Sequence, residues 1–177
     1  QLPEKENEFE IGAFLSDYKK REAEGSPLRC SDQPLGKMAS RSKSIIRHFK
    51  RRGHPTICKE GAGEAVFKSL AEQCRILHFS SHGCAEASQA RDYAILFTLD
   101  GKDGEDGSLK SGEILSLNLQ GAALAVLSLC DTHAGINRPG EGLASIARAF
   151  TIAGCPSLLA STCKAGQGPT AEITALF

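Results

Sequence analysis

The chain has 177 residues, enough for one domain with a substantial core or for one domain plus a linker. Its 21 basic residues balance its 21 acidic ones, so total charge points to neither a nucleic acid nor a membrane surface as a direct partner. The seven cysteines are odd in number and irregularly spaced, with no C-x-x-C pair, which argues against a complete disulfide framework and a structural zinc site.

No apolar stretch is long enough to span a bilayer, and the opening Gln1-Leu-Pro-Glu-Lys-Glu lacks the basic-then-apolar layout of a signal peptide. A reducing cytoplasm is the simplest home. Phe177 falls inside a stretch that reads as helix, so a piece of a larger polypeptide is expected.

Residues 1–36 read as a linker or a peripheral helix. Ile11, Phe14, Leu15 and Tyr18 recur at helical spacing, and Gly25-Ser-Pro and Asp32-Gln-Pro read as loop. Ser40 is expected to cap a helix that carries Ile45, Ile46 and Phe49 inward and ends at Gly53. Its outer face of Arg41, Lys43, Arg47, Lys50, Arg51 and Arg52 could meet phosphates or an acidic partner. A solvated face is the preferred reading. His54-Pro-Thr-Ile-Cys58 is a strand candidate, and Gly63 to Gln73 reads as a helix with Val66, Phe67 and Leu70 on one face.

Arg75 to Ser81 is a short apolar strand finishing on His82-Gly83, and Tyr93 to Leu99 is a second strand. Asp100 to Gly107 has acid spacing that hints at a calcium loop. It lacks the closing glutamate and flanking helices, so an exposed turn is preferred. Ser111 to Ser116 reads as a short helix. Ala122 to Cys130 reads as an apolar run, Ser128 apart, that ends on a cysteine, the pattern of a strand buried on both faces. Gly135 to Gly142 reads as loop, Leu143 to Ala153 as a helix stopped by Gly154, Pro156 to Thr162 as a strand, and Thr170 opens a last helix. Strands alternating with helices predict an α/β fold, a mostly parallel sheet with helices on both faces.

Two parallel strands ending together would set the thiol of Cys130 beside the imidazole of His82. That is the minimum equipment for a thiol nucleophile and its base. The base would stabilise the thiolate and then protonate the leaving amine. The amides of Gly83 and Cys130 are candidate donors to the oxyanion, with Gly83 expected to let the chain turn toward the cleft. Cys130 reads as well as a core residue at a strand end, and pattern alone leaves both readings open. His78 reads as a core residue. Cys84 and His133 are the alternative site residues. The remaining cysteines Cys30, Cys58, Cys74, Cys155 and Cys163 read as structural or incidental.

The ordered series His78-Phe-Ser-Ser-His82-Gly83, Ser108-Leu-Lys-Ser-Gly-Glu113-Ile, Leu127-Ser-Leu-Cys130-Asp131-Thr132, Gly140 to Phe150 and Ala153 to Ser161 resembles a CHAT domain. This family comprises caspase- and separase-like cysteine peptidases often attached to tetratricopeptide repeats. The likeness runs from about Leu35 to the end, placing a CHAT peptidase domain at 37–177 with its closing helix truncated. It implies a caspase-like fold, a dyad of His82 and Cys130, and peptide-bond hydrolysis through a thioester without metal or organic cofactor. The partners it implies are a protein or peptide substrate and a tetratricopeptide or other sensor region of the parent chain.

Asp131 corresponds to a commonly acidic position of the family that either shapes the substrate's S1 pocket or fixes the loop. Cys163 stands where the family usually has tryptophan, and the family's upstream half is missing or reduced to residues 1–40. The rival readings are a catalytically silent caspase-like scaffold and a small-molecule thiol hydrolase, the latter marked by a deep closed pocket.

Overall fold

The computed structural model of the chain describes residues 10–15, 36–53, 56–60, 63–85, 93–97, 104–130 and 141–160. In chain order the elements are β1 (Glu10–Leu15), α1 (Gly36–Arg51), β2 (Thr56–Glu60), α2 (Glu64–Leu70), β3 (Cys74–Ala85) and β4 (Tyr93–Leu96). They continue with β5 (Ser108–Lys110), α3 (Ser111–Ile114), β6 (Leu124–Cys130), α4 (Glu141–Ala153) and β7 (Leu158–Ala160).

Among the described residues the sheet has seven strands. Its parallel part runs in the order β2-β1-β3-β6-β7, so β3 and β6 lie at its centre. β4 pairs antiparallel with the last residues of β3, and β5 pairs antiparallel with β4, which adds a ribbon to one end. This is the α/β, mostly parallel arrangement that the alternating elements predict. In the parallel part the strand order reverses between β1 and β3, and open α/β sheets place ligands at the carboxyl ends of the strands near such a reversal.

The first strand corrects the reading of residues 11–18 as helix. Glu10–Leu15 is a strand between β2 and β3, well inside the sheet. Ile-Gly-Ala-Phe-Leu is an unbroken apolar run of strand length, and its helix-like spacing follows from the small residues at its centre. Run length, not period, is the better guide to such segments. α1 likewise begins at Gly36, with Ser40 inside it rather than capping it. It ends as expected: the Gly53 N–H donates to the Lys50 carbonyl (3.1 Å) and Gly53 takes φ +83°. Tyr18, Asp100 to Asp103, the loop from 135 to 140 and the helix from Thr170 lie outside the described residues.

The apolar core lies on one face of the central strands. Leu77 and Phe79 of β3 and Ala125, Leu127 and Leu129 of β6 meet Phe67 of α2, Ile114 of α3, and Ile146, Ala149 and Phe150 of α4. The rings pack edge-on, Phe79 against Phe67 at 5.1 Å and against Phe150 at 5.7 Å between centroids. α1 packs along β1, β2 and β3. Its buried Ile46 is not part of that cluster, so α1 covers the opposite face.

α4 stops in a Schellman motif: the Cys155 N–H donates to the Phe150 carbonyl (2.9 Å) and the Gly154 N–H to the Thr151 carbonyl (3.2 Å). Gly154 holds φ +115°, and a Cβ there would meet the Gln120 backbone. Among the described residues no helix is long and apolar enough to cross a membrane.

Candidate active site

β3 and β6 run parallel and in register from Ile76 opposite Leu124 to His82 opposite Cys130. The two residues singled out in the sequence therefore share the last rung of this strand pair. Neighbouring strands lie about 4.8 Å apart, so the rung brings the two backbones to within reach of a thiol–imidazole contact. His82 is 2 % exposed. For Cys130 the structure describes the backbone, and Asp131 and His133 lie outside the described residues. Cys84 sits two rungs past His82, opposite Ala94 of the ribbon, on a stretch of β3 that no longer borders β6.

Gly83 does not turn the chain. β3 continues through it to Ala85, and Gly83 pairs with Ile95 of β4. The glycine answers a packing need instead. The phenol of Tyr93 lies directly on Gly83, and a Cβ at that position would run into the ring and its hydroxyl. Tyr93 is itself buried, so an aromatic ring fills the space that the missing side chain leaves. Alongside, the Ser81 hydroxyl donates to the Leu96 carbonyl. The residues flanking His82 are thereby fastened to the ribbon on the side away from β6.

Below the rung, the site's face of the sheet departs from what a doubly covered strand carries. Such strands read as continuous apolar runs. Here β3 alternates His78, Ser80 and His82, all buried, and β6 sets Ser128 opposite Ser80. Burial pushes His78 down to about 4, so at neutral pH it is an uncharged imidazole. That agrees with its reading as a core histidine. The period-2 run of polar residues within an apolar strand was the available signal for this stripe, and it is visible in His78-Phe-Ser-Ser-His82.

A second polar cluster went unread in the sequence. The Lys68 ammonium lies 2.8 Å from each of Glu64 Oε1, Glu105 Oε2 and Glu113 Oε1. It joins α2 to the turn before β5 and to the start of α3. Glu113 also accepts from the Lys110 backbone N–H (2.9 Å), closing the first turn of α3. Burial raises Glu64 to about 7, against the opposing pull of Lys68 and with a contribution from neighbouring Glu113. Burial alone would raise Glu113 too, but hydrogen bonds from Lys68 and Lys110 hold it below its ordinary value. The three carboxylates stand as close together as metal ligands do, and the ammonium of Lys68 provides the cation among them. Glu105 belongs to the acid-rich stretch weighed above as turn or calcium loop. Its described part, from Gly104, is a turn with positive φ at Gly104 and Gly107. The i, i+4 pair Glu64 and Lys68 was the local signal; the contacts with Glu105 and Glu113 are long-range and left none.

No curated protein matches the chain. The family model of the CHAT domain matches residues 13–177, a span that takes in the second half of β1 and every element after it. The fold is therefore that of the caspase-like, peptidase-related group, and the chain belongs to the CHAT domain family.

Proposed function

We propose that this chain is a cysteine endopeptidase domain in which Cys130 is the nucleophile and His82 the general acid and base. The observation that carries this reading is the rung shared by His82 and Cys130 at the carboxyl end of two central strands. In the reaction, His82 takes the thiol proton and the Cys130 sulfur attacks the peptide carbonyl. The C–N bond then breaks, its nitrogen leaves with the proton from His82, and water hydrolyses the thioester to free the acid and restore the thiol. The backbone N–H groups of Gly83 and Cys130 serve the oxyanion, and Asp131 serves the S1 pocket. The chemistry needs no metal or organic cofactor.

The burial of His82 suits a domain held shut until another part of its parent chain, a tetratricopeptide or similar sensor region, opens it. The substrate is a protein or peptide and the setting the cytoplasm, with neither a nucleic acid nor a membrane bound directly. A peptidyl fluoromethyl ketone is expected to label Cys130, with label lost in His82→Ala; label on Cys84 or Cys163 instead would overturn the assignment.

The same burial favours a second reading, a catalytically silent scaffold that docks partners through a caspase-like surface. Proteome-wide cleavage profiles separate the two. Fragments produced by the native chain and absent with Cys130→Ala support the peptidase, and identical profiles support the scaffold.

A further inference from the structure

A thiol–imidazole pair works best when a third group holds the ring in place, because a base that turns freely spends much of its time misaligned. On the face of β3 that carries His82, the residue two positions earlier is Ser80. It is 1 % exposed, and among the described residues its hydroxyl has no hydrogen-bond partner. A buried hydroxyl left in that condition destabilises the fold and is uncommon in native structures, so it calls for an explanation. Packing does not supply one, since alanine would fill nearly the same space. Ser80 also lies opposite Ser128, one alternation below the rung of His82 and Cys130. It thus occupies the middle of a polar stripe with His78 beneath it and the proposed base above.

We infer that Ser80 is a positioning residue for the reaction, its hydroxyl orienting the His82 imidazole toward Cys130 from below through one bridging water. The inference rests on the Cys130–His82 reading. Residues i and i+2 of a strand project from the same face about 7 Å apart, a gap that a serine and an imidazole leaning along the strand span with one bridging water. His78, uncharged at neutral pH, ends the stripe without adding charge to it.

The test is the rate at which iodoacetamide alkylates Cys130 in the full chain at neutral pH, read peptide by peptide by mass spectrometry beside thermal unfolding. His82→Ala sets the rate of a thiol without its base. Ser80→Ala is expected to slow Cys130 by about tenfold, a part of the roughly 10²–10⁴-fold that a positioned base supplies, without lowering the unfolding temperature. Ser80→Thr and Ser80→Val, matched in shape and differing in the hydroxyl, repeat the comparison: threonine restores the rate and valine does not. Should Ser80→Ala and Ser80→Val react like the native chain while His82→Ala is slow, Ser80 has no such role and the dyad stands. If His82→Ala reacts like the native chain, the dyad itself is wrong and Ser80 falls with it.

Discussion

Along β3 the side chains facing one way include Leu77 and Phe79, and those facing the other are His78, Ser80 and His82. The first set joins a continuous apolar core with Phe67, Leu127 and Phe150. The second set is just as buried yet polar, with Ser128 beside it on β6. Both faces are covered by helix, so the difference does not come from solvent. One face holds the strands together by excluding water; the other carries groups whose burial costs stability and whose placement suits chemistry. Local rules of sequence and packing fail most often at functional positions, and along β3 the buried polar groups other than Ser81, whose hydroxyl donates to the Leu96 carbonyl, lie on one side of the strand.

Substitutions on the two faces should therefore give opposite phenotypes. Phe79→Ala on the core face is expected to cost about 3–5 kcal/mol in denaturant unfolding, the usual loss for a buried ring; a loss below about 1 kcal/mol would mean this face is not the stabilising one. Gly83→Ala tests the boundary between the faces. Its Cβ meets Tyr93, so about 2–3 kcal/mol should be lost through overpacking, and the same substitution should cost much less when made in a Tyr93→Ala background, which is itself destabilised by loss of a buried ring.

Two buried titratable groups, one from the stripe and one from the Lys68 cluster, should respond to pH with opposite sign. His78 is depressed to about 4 from an ordinary 6.5. The unfolded chain takes up the proton first, so stability falls as pH drops from 6.5 through 4. Glu64 is raised to about 7 from 4.5. The folded chain keeps that proton longer, so its contribution is complete below 4.5 and is lost as pH rises toward 7. Unfolding free energies measured across this range should lose one slope in His78→Gln and the other in Glu64→Gln, each on the order of 2 kcal/mol. An unchanged profile in either variant would remove that group from the account. Gly154→Ala is expected to lose about 1 kcal/mol from the positive φ, and more because its methyl group would meet the Gln120 backbone, which must shift to admit it.

Much of this was legible in the sequence because each central strand carries an apolar stretch bounded by clear punctuation. Arg75 to Ser81 and Ala122 to Cys130 announce β3 and β6, and their polar last residues predict the shared rung. The stop of α4 at Gly154 follows from glycine chemistry alone. β1 was misread because five consecutive apolar residues satisfy a helical spacing as readily as a strand, and only pairing with β2 and β3 decides between them. The end of β3 was placed too early for a related reason. His82-Gly83 looks like a turn, whereas the glycine accommodates Tyr93, ten residues farther on. The cluster around Lys68 was missed because Glu105 and Glu113 reach it from 37 and 45 residues away. No local pattern records such contacts.

The notch at Gly83 has a consequence for how the ribbon seats. A strand sliding by one residue along its neighbour turns every side chain to the other face. β3 has a single position without a Cβ between Cys74 and Ala85, and Tyr93 fills it. Displaced by one residue, β4 would swing that ring away from the notch and leave the hollow empty. The glycine thus acts as a keyway that admits one alignment of β4, and so fixes where β4 comes to rest beside the end of β3 that carries His82.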